Sequence, residues 1–477
     1  MESTAATFKE NAAHALADAN LRDALAKLSD GFPAKRRDAA ARLPEFEDLR
    51  DQARDIKKHV LANLGFYLEA FEARVVEAGG TVHWCRSAAE ARTTILRICK
   101  QAGAKTVTKS KSMISEEIAI NEHLETHGVE PVETDLGEYI IQLRHEPSSH
   151  IIAPAIHLTK DQIAETFRDK HGHLEAARNL EEPETLLEEA RGELRRKFIS
   201  ADVGLTGANM LVAETGSIVL VTNEGNADLT YSLPKTHIAI ASLEKIVPTL
   251  EDATTILRVL ARSATGQDMS VYTTFCTGPK RADDLDGPED FHIVLLDNGR
   301  TKMLGTEFHD MLRCIRCGAC LNHCPIYKSV GGHAYGWVYS GPMGAVLIPN
   351  LIGLDEAQHL PNASTLCGKC EEVCPMRIPL PRMLRSWRKR QFEQDKTSFV
   401  SRAALKAWAA LARRPWLYRL AVAAPVAVLA ALGRDNGRFR WLPFGRGWTT
   451  LRDLPAPEGG TFISRWHKAQ SHKERRP

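Results

Sequence analysis

Two short cysteine runs constrain this chain more than any other feature. The first, CIRCGACLNHCP, places Cys314, Cys317, Cys320 and Cys324 ahead of Pro325. The second, CGKCEEVCP, places Cys367, Cys370 and Cys374 ahead of Pro375. Two-residue spacing lets a tight turn present several sulfurs to one face, and the small Gly318 keeps the backbone close to whatever they hold. In two-cluster ferredoxins, the cysteine that precedes proline turns away and ligates the other cluster. That crossover predicts one [4Fe–4S] cluster on Cys314, Cys317, Cys320 and Cys374, and a second on Cys324, Cys367 and Cys370. The counterpart of Cys314 in the second run is Ser364, so the second cluster has three cysteines. We read it as [4Fe–4S] with an unusual fourth ligand, in preference to a [3Fe–4S] core or an iron closed by a partner. Zinc also takes paired cysteines, but seldom three at successive three-residue spacing with Cys-Pro repeated. Two clusters in one fold suit an electron relay better than substrate activation.

Seven of the ten cysteines belong to these runs; Cys85, Cys99 and Cys276 lack ligand spacing and read as core. The N-terminal stretch MESTAATFKENAAHALADANLRDAL reads as a polar amphipathic helix, not a signal peptide. A cytoplasmic, reducing setting follows, which favours metal chemistry over disulfides. A spanning helix needs roughly 18 apolar residues. The longest candidate, Leu420 to Leu432, is bounded by Arg419 and Arg434, interrupted by Pro425, and reads as too short.

At 477 residues the chain has room for two to four domains of roughly 100–200 residues each. Residues 1–74 read as helical, with Leu49, Ile56, Val60, Leu64 and Leu68 marking one buried face from Glu45 to Val75. Residues 75–300 alternate strand-like runs with helices, which predicts an α/β domain around a largely parallel sheet. The expected strands are Thr81–Trp84, Lys105–Lys109, Pro131–Glu133, His150–Ala153, Ser217–Thr222, His237–Ala241 and His292–Leu296. Helices are expected at Glu116–Thr126 and Lys160–His171, and an exposed charged insertion at Leu174–Phe198. Residues 301–395 form the ferredoxin-type region and 396–477 a basic tail. From Arg382 onward there are 21 Lys/Arg against 6 Asp/Glu, an interaction surface for an acidic partner or membrane face. Trp408, Trp416, Trp441, Trp448 and Trp466 alternate with arginines there. Such a pattern stacks bases, docks a partner or rests on a membrane; beside redox clusters, a partner or peripheral membrane contact is the better reading and nucleic acid is not expected.

Other signals are weaker. Ser110–Ser115 suits helix capping, or with Lys111 an anion. Glu214–Ser217 and Asn223–Asn226 suit turns or a pocket rim. His333, within GGHAYG, is the histidine best placed to lie near a cluster. No Walker A or strand-linked GxGxxG is present, and no catalytic residue can be named.

The chain resembles the lactate utilization protein B family. The resemblance is carried by RDIKKHVLANLGFYLEAFE, GGTVHW, SKSMISEEIAINEHLETHGVEPVETDLGEYIIQL, VAETGSIVLVTNEGN, both cysteine runs, GGHAYGWVYSGPMGAVLIP, RRPWLYR and WTTLRDLPAP. It implies an α/β lactate-utilization domain like sugar-phosphate isomerases and CoA transferases, then an α-helical two-cluster ferredoxin-type domain and a helical basic tail. It also implies two clusters in the crossed pattern, the second with three cysteines. Two partners follow from it: a cysteine-rich-repeat subunit and a lone α/β-domain subunit. The implied role is the electron-transfer subunit of a non-NAD system that oxidises L-lactate to pyruvate. The alternative is a stand-alone oxidoreductase whose α/β domain holds its own substrate.

Overall fold

The computed structural model describes residues 3–433, 437–442, 445, 449 and 452–473; Arg434 and Trp448 lie outside them. Two compact units emerge, Met1–Glu393 and Gln394–Pro477.

Ten strands build the α/β part of the first unit: β1 (Thr81–Cys85), β2 (Thr106–Lys109), β3 (Glu130–Glu133), β4 (Val203–Gly207), β5 (Met210–Val212), β6 (Ser217–Thr222), β7 (Thr236–Ser242), β8 (Ile246–Val247), β9 (Tyr272–Cys276) and β10 (Asp290–Leu296). Six form one sheet in the order β1-β10-β7-β4-β2-β3, with every pair parallel. The central strand β7 is buried along its whole length, as a parallel sheet covered on both faces requires. The expected mixed α/β architecture with a parallel sheet is present.

The differences are local. Ser217–Thr222 is a strand, but it belongs to a second sheet ordered β8-β5-β6-β9. His150–Ala153 is not a strand. The His150 ring accepts the backbone N–H groups of Ile152 and Ala153 at 3.1 and 3.2 Å, so those donors are unavailable to a neighbouring strand. β4 escapes recognition because it carries Gly204. A Cβ there would lie 1.9 Å from the Thr230 carbonyl oxygen, so the glycine admits a helix close against the sheet. The expected continuous helix from Glu45 breaks at Asn63 into Phe46–Ala62 and Leu64–Glu77, where the Asn63 side chain donates to the His59 carbonyl. Within Leu174–Phe198 the helix Pro183–Ile199 is not wholly exposed: Leu186, Ala190, Leu194 and Phe198 pack with Tyr139 and Phe167.

The N-terminal helices share a core with the cysteine-bearing segment, where Phe8, Leu25, Leu28, Phe46 and Leu49 join Cys317, Cys324, Cys370 and Cys374. Cys85, Cys99 and Cys276 are buried among apolar side chains. Burial raises all three thiols, Cys99 to about 12, so the thiolate that reacts is suppressed. Native alkylation followed by peptide mass mapping is expected to leave them unmodified; labelling at the rate of a free thiol would contradict that placement.

His237 on β7 is fully buried between Tyr231 and Phe291, with its Nε2 bonded to Thr206 Oγ1 at 2.8 Å. Burial pulls it down to about 3. A histidine depressed in the folded state binds its proton first in the unfolded chain, so stability falls as pH drops below about 6.5, by about 1.4 kcal/mol per unit. Chemical denaturation at pH 6.5 and 5.5 should show this loss, and His237→Asn should reduce the slope.

The second unit contains the helices Phe399–Ala412 and Pro415–Leu432, neither with a buried residue, and the helix Phe462–Lys473. Pro415–Leu432 begins earlier than the apolar run suggests. At 18 residues it is long and apolar enough to cross a membrane by length and composition.

Candidate iron–sulfur site

The two cysteine runs fold into matching loops. A left-handed residue precedes the second cysteine of the first run (Arg316, φ 59°) and the first cysteine of the second (Leu366, φ 55°). Each following Cys-Gly pair leads into a one-turn helix, Ala319–Asn322 or Lys369–Glu372, capped by Gly318 (φ 72°) or Gly368 (φ 87°). By this correspondence Cys317 matches Cys367, Cys320 matches Cys370, Cys324 matches Cys374, and Cys314 matches Ser364. Gly318 also presses on the 150–152 loop, where a Cβ would meet Ile152 Cδ1 at 3.1 Å.

Cys314, Cys317, Cys320 and Cys374 line one cavity, walled otherwise by apolar side chains including Ile151, Met311, Met343 and Met376. Among the described residues, no three His, Cys, Asp or Glu groups converge tightly enough for a single metal ion. Burial, then the charges of neighbouring thiolates, pushes Cys317 up to about 12 and Cys320 well above the ordinary thiol range. Burial also leads the rise of Cys374 to about 11, with Cys314 contributing. Thiolates gathered in an apolar cavity repel one another; a cationic core bound by them reverses that cost.

Cys324, Cys367 and Cys370 make the second group. Burial, followed by Cys324 and Cys367, lifts Cys370 to about 12, and burial with Cys367 nearby also raises Cys324. Cys324 and Cys370 are buried, whereas Cys367 is exposed, so this group lies at the surface. Ser364 Oγ accepts the Leu366 N–H at 3.1 Å. Tyr335 is fully buried, and its hydroxyl has no hydrogen-bond partner. Burial first, then the charges of Cys324, Tyr327, Cys320 and Cys370, raise it well above the ordinary phenol range. An orphaned phenol beside converging sulfurs is a donor waiting for an acceptor, and sulfur atoms of a cluster are acceptors. The residues fit the group on that observation as well as on the donor set.

Sequence reasoning missed the groups that brace these loops. Arg50, on the helix Phe46–Ala62, donates to the carbonyls of Glu372 at 2.5 Å and Cys374 at 2.7 Å, and Arg36 donates to the Val373 carbonyl at 3.0 Å. The Ile378 N–H reaches Cys374 Sγ at 3.4 Å. No spacing rule connects an arginine to a loop more than three hundred residues away. Tyr335 lies two residues from the singled-out His333, which instead bonds the Pro147 carbonyl and packs edge-on against His157.

A second, larger cleft of about 280 Å³ opens at the C-terminal ends of β2, β4 and β7, and Ile315, Arg316 and Cys317 of the first run form part of its wall. Of the two suggested rims, Asn223, Glu224 and Asn226 line it, while Glu214–Ser217 is the turn joining β5 to β6. The Ser110–Ser115 segment caps a helix, with Ser112 Oγ accepting the Ser115 N–H, and it also lends Ser110, Lys111 and Ser112 to the cleft.

An α/β domain on a parallel sheet joined to two facing ferredoxin-type loops defines an iron–sulfur protein of the dicluster class. Residues 68–296 match the LUD domain and residues 310–378 the 4Fe-4S dicluster domain. Proteins named Lactate utilization protein B are similar along nearly their whole length. That of Bacillus licheniformis is 44% identical, covering 95% of each chain, and that of Bacillus subtilis is 42% identical, covering 98% of this chain and 97% of its own. The chain belongs to the Lactate utilization protein B family. A DUF162 family protein from Deinococcus radiodurans, of known crystal structure, is 16% identical and covers 49% of this chain and 98% of its own, with a TM-score of 0.28; no argument rests on it.

Proposed function

We propose that this chain is the iron–sulfur electron-transfer subunit of a multi-protein system that oxidises L-lactate to pyruvate. The observation that carries the reading is the single cavity drawn from both cysteine runs, in a chain of this family. Cys314, Cys317, Cys320 and Cys374 would hold one [4Fe–4S] cluster, and Cys324, Cys367 and Cys370 a second. Such a cluster, when bound, stores and returns one electron. The protein's own contribution is to exclude water with an apolar wall, direct N–H groups at sulfur, and fix the second loop through Arg36 and Arg50. Deleting the gene in a cell without another lactate dehydrogenase should abolish growth on L-lactate; undiminished growth would overturn the reading.

The partners suggested by the family are a subunit with cysteine-rich repeats and a lone α/β-domain subunit. Anaerobic affinity purification should recover both. We place the chain in the cytoplasm, with peripheral membrane contact through the second unit, whose Trp408, Trp416 and Trp466 are exposed on arginine-containing helices. Flotation with anionic vesicles, lost on truncation at Gln394, would support that contact.

We infer that the buried, unpartnered Tyr335 hydroxyl serves the group with three cysteines, two of which, Cys324 and Cys370, bear on it electrostatically. A hydrogen bond to cluster sulfur favours the reduced, more negative state. Tyr335→Phe should therefore lower one midpoint potential and leave the other unchanged in an EPR-monitored redox titration. The same titration showing both potentials unmoved would remove Tyr335 from the site.

The large cleft favours a second reading, in which the chain handles a substrate itself. Dye reduction by the purified single chain on adding L-lactate would establish that reading over the subunit role.

A further inference from the structure

The two cysteine loops share a backbone shape but not a charge. Arg316 (φ 59°) stands in the first where Leu366 (φ 55°) stands in the second. The left-handed turn therefore belongs to the loop and does not account for the arginine. Leu366 packs on the apolar core. The Arg316 side chain is nine-tenths buried and lines both the sulfur cavity and the neighbouring cleft. Its Nη2 approaches Glu244 at 3.4 Å, and the guanidinium lies 5.0 Å from the Tyr339 ring centre. Nη1 is buried with no hydrogen-bond partner. Burial disfavours the charge, and Cys314, ahead of Tyr339 and Glu244, acts most strongly to keep it. A buried guanidinium nitrogen without an acceptor is costly. Sulfur of a cluster on Cys314 and Cys317 would supply one.

Behind Arg316 the buried charges come in layers. Arg300 gives both terminal nitrogens to Glu117, at 2.8 and 2.6 Å, and only its Nε to Glu244, at 3.3 Å. Glu244 thus holds two arginines, each at the long end of ion-pair distance. These two arginines balance the two glutamates. Lys57, which donates to the Glu244 and Ile246 carbonyls, and Lys245, in the cleft wall, bring no further carboxylate. The surroundings of Cys314 are therefore neutral to positive, which suits a group that gains negative charge on reduction. Near the second group, Lys328 is half-buried and Lys369 exposed, where water and salt screen them.

We propose that Arg316 donates through Nη1 to sulfur of the first cluster and, against the opposing charge of Glu244, sets the midpoint potential of that cluster. The proposal rests on the iron–sulfur reading above and goes beyond its ligand set. Reduction adds one negative charge to the core. A guanidinium bonded to that core stabilises the reduced state, and the Glu244 carboxylate, one group further out, offsets part of the effect. Arginine stays charged throughout, so no proton has to move. With leucine at the matching position, the second cluster lacks this control.

The test is EPR-monitored potentiometry on the anaerobically purified full chain, after iron and acid-labile sulfide have been measured. Arg316→Leu, which copies the second loop, should make the first cluster at least about tenfold harder to reduce. That is a fall of about 59 mV in its midpoint for one electron, with the other midpoint unmoved. The first midpoint is the one missing from Cys314→Ala. Arg316→Lys should recover part of the fall, because it restores charge without the planar fork. Glu244→Gln should shift the same midpoint upward. Opposite signs from two contacting residues mark a charge effect, since a loosened loop would move both the same way. In electron–nuclear double resonance of the reduced first cluster, one exchangeable proton coupling should vanish in Arg316→Leu. An unmoved first midpoint in Arg316→Leu, or a fall in Glu244→Gln, overturns the control of potential. A full set of proton couplings in Arg316→Leu overturns the hydrogen bond. Should Arg316→Leu fail to hold iron, Glu244→Gln decides alone, and a first midpoint that does not rise overturns the proposal. Unaltered protein without iron and sulfide would contradict the iron–sulfur reading instead, so the two failures are told apart.

Discussion

Cys374→Ala is expected to have the spectroscopic phenotype of Cys314→Ala, not that of its sequence neighbour Cys370→Ala. Cys374 is four residues from Cys370 and sixty from Cys314, so proximity along the chain assigns it to the second group. The proposed crossed arrangement puts it in the first, and the cavity it lines is otherwise lined by Cys314, Cys317 and Cys320. Proline after each crossing cysteine starts or redirects the backbone; after Cys324 it occupies the first turn of the helix Pro325–Val330. If each group holds one cluster, Cys374→Ala should remove about half of the iron and acid-labile sulfide. The surviving EPR signal should be the one that Cys324→Ala and Cys370→Ala abolish. Each variant would be purified without air and measured for iron, sulfide and EPR after dithionite. A Cys374→Ala protein that keeps the signal lost in Cys314→Ala would show the uncrossed arrangement and dissolve the pairing. Should Cys374→Ala prove insoluble, Cys324→Ala tests the same crossing from the other side.

This pairing is an expectation that a spacing rule alone carries. Five of the six strands of the parallel sheet were legible, since β1, β2, β3, β7 and β10 are short apolar or β-branched runs bounded by turns. What escaped was written in long-range packing. β4 holds a glycine that a propensity argument counts against a strand, yet the close approach of Thr230 demands it. His150–Ala153 has strand-like composition, but the histidine ring takes the N–H groups that a ladder would need. Arg316 sits in plain view inside the first cysteine run, but nothing in CIRC says that its side chain reaches a cleft built from β2, β4 and β7. The charged helix Pro183–Ile199 shows the limit of composition, since its few apolar side chains still close a separate core against Tyr139 and Phe167.

Arg300→Met is expected to be the most destabilising single change outside the cysteines, at about 3–5 kcal/mol, because it strands a buried carboxylate. Arg300 is 2% exposed and grips Glu117 with both terminal nitrogens, at 2.8 and 2.6 Å. Its Nε reaches Glu244 at 3.3 Å. Glu117 also accepts from Tyr339 at 2.6 Å and Asn298 at 2.7 Å. Burial opposes the charge on Glu117, yet the guanidinium and these hydrogen bonds hold its carboxyl below the usual range. The network therefore ties the helix after β2, the segment after β10 and the stretch between the cysteine runs to one point. Anaerobic denaturant melts should show the loss in Arg300→Met. The double variant Arg300→Met/Glu117→Met should recover most of it, since the penalty belongs to the unpaired charge and not to the missing attraction. A double variant no more stable than the single would mean that the guanidinium acts through Glu244 instead.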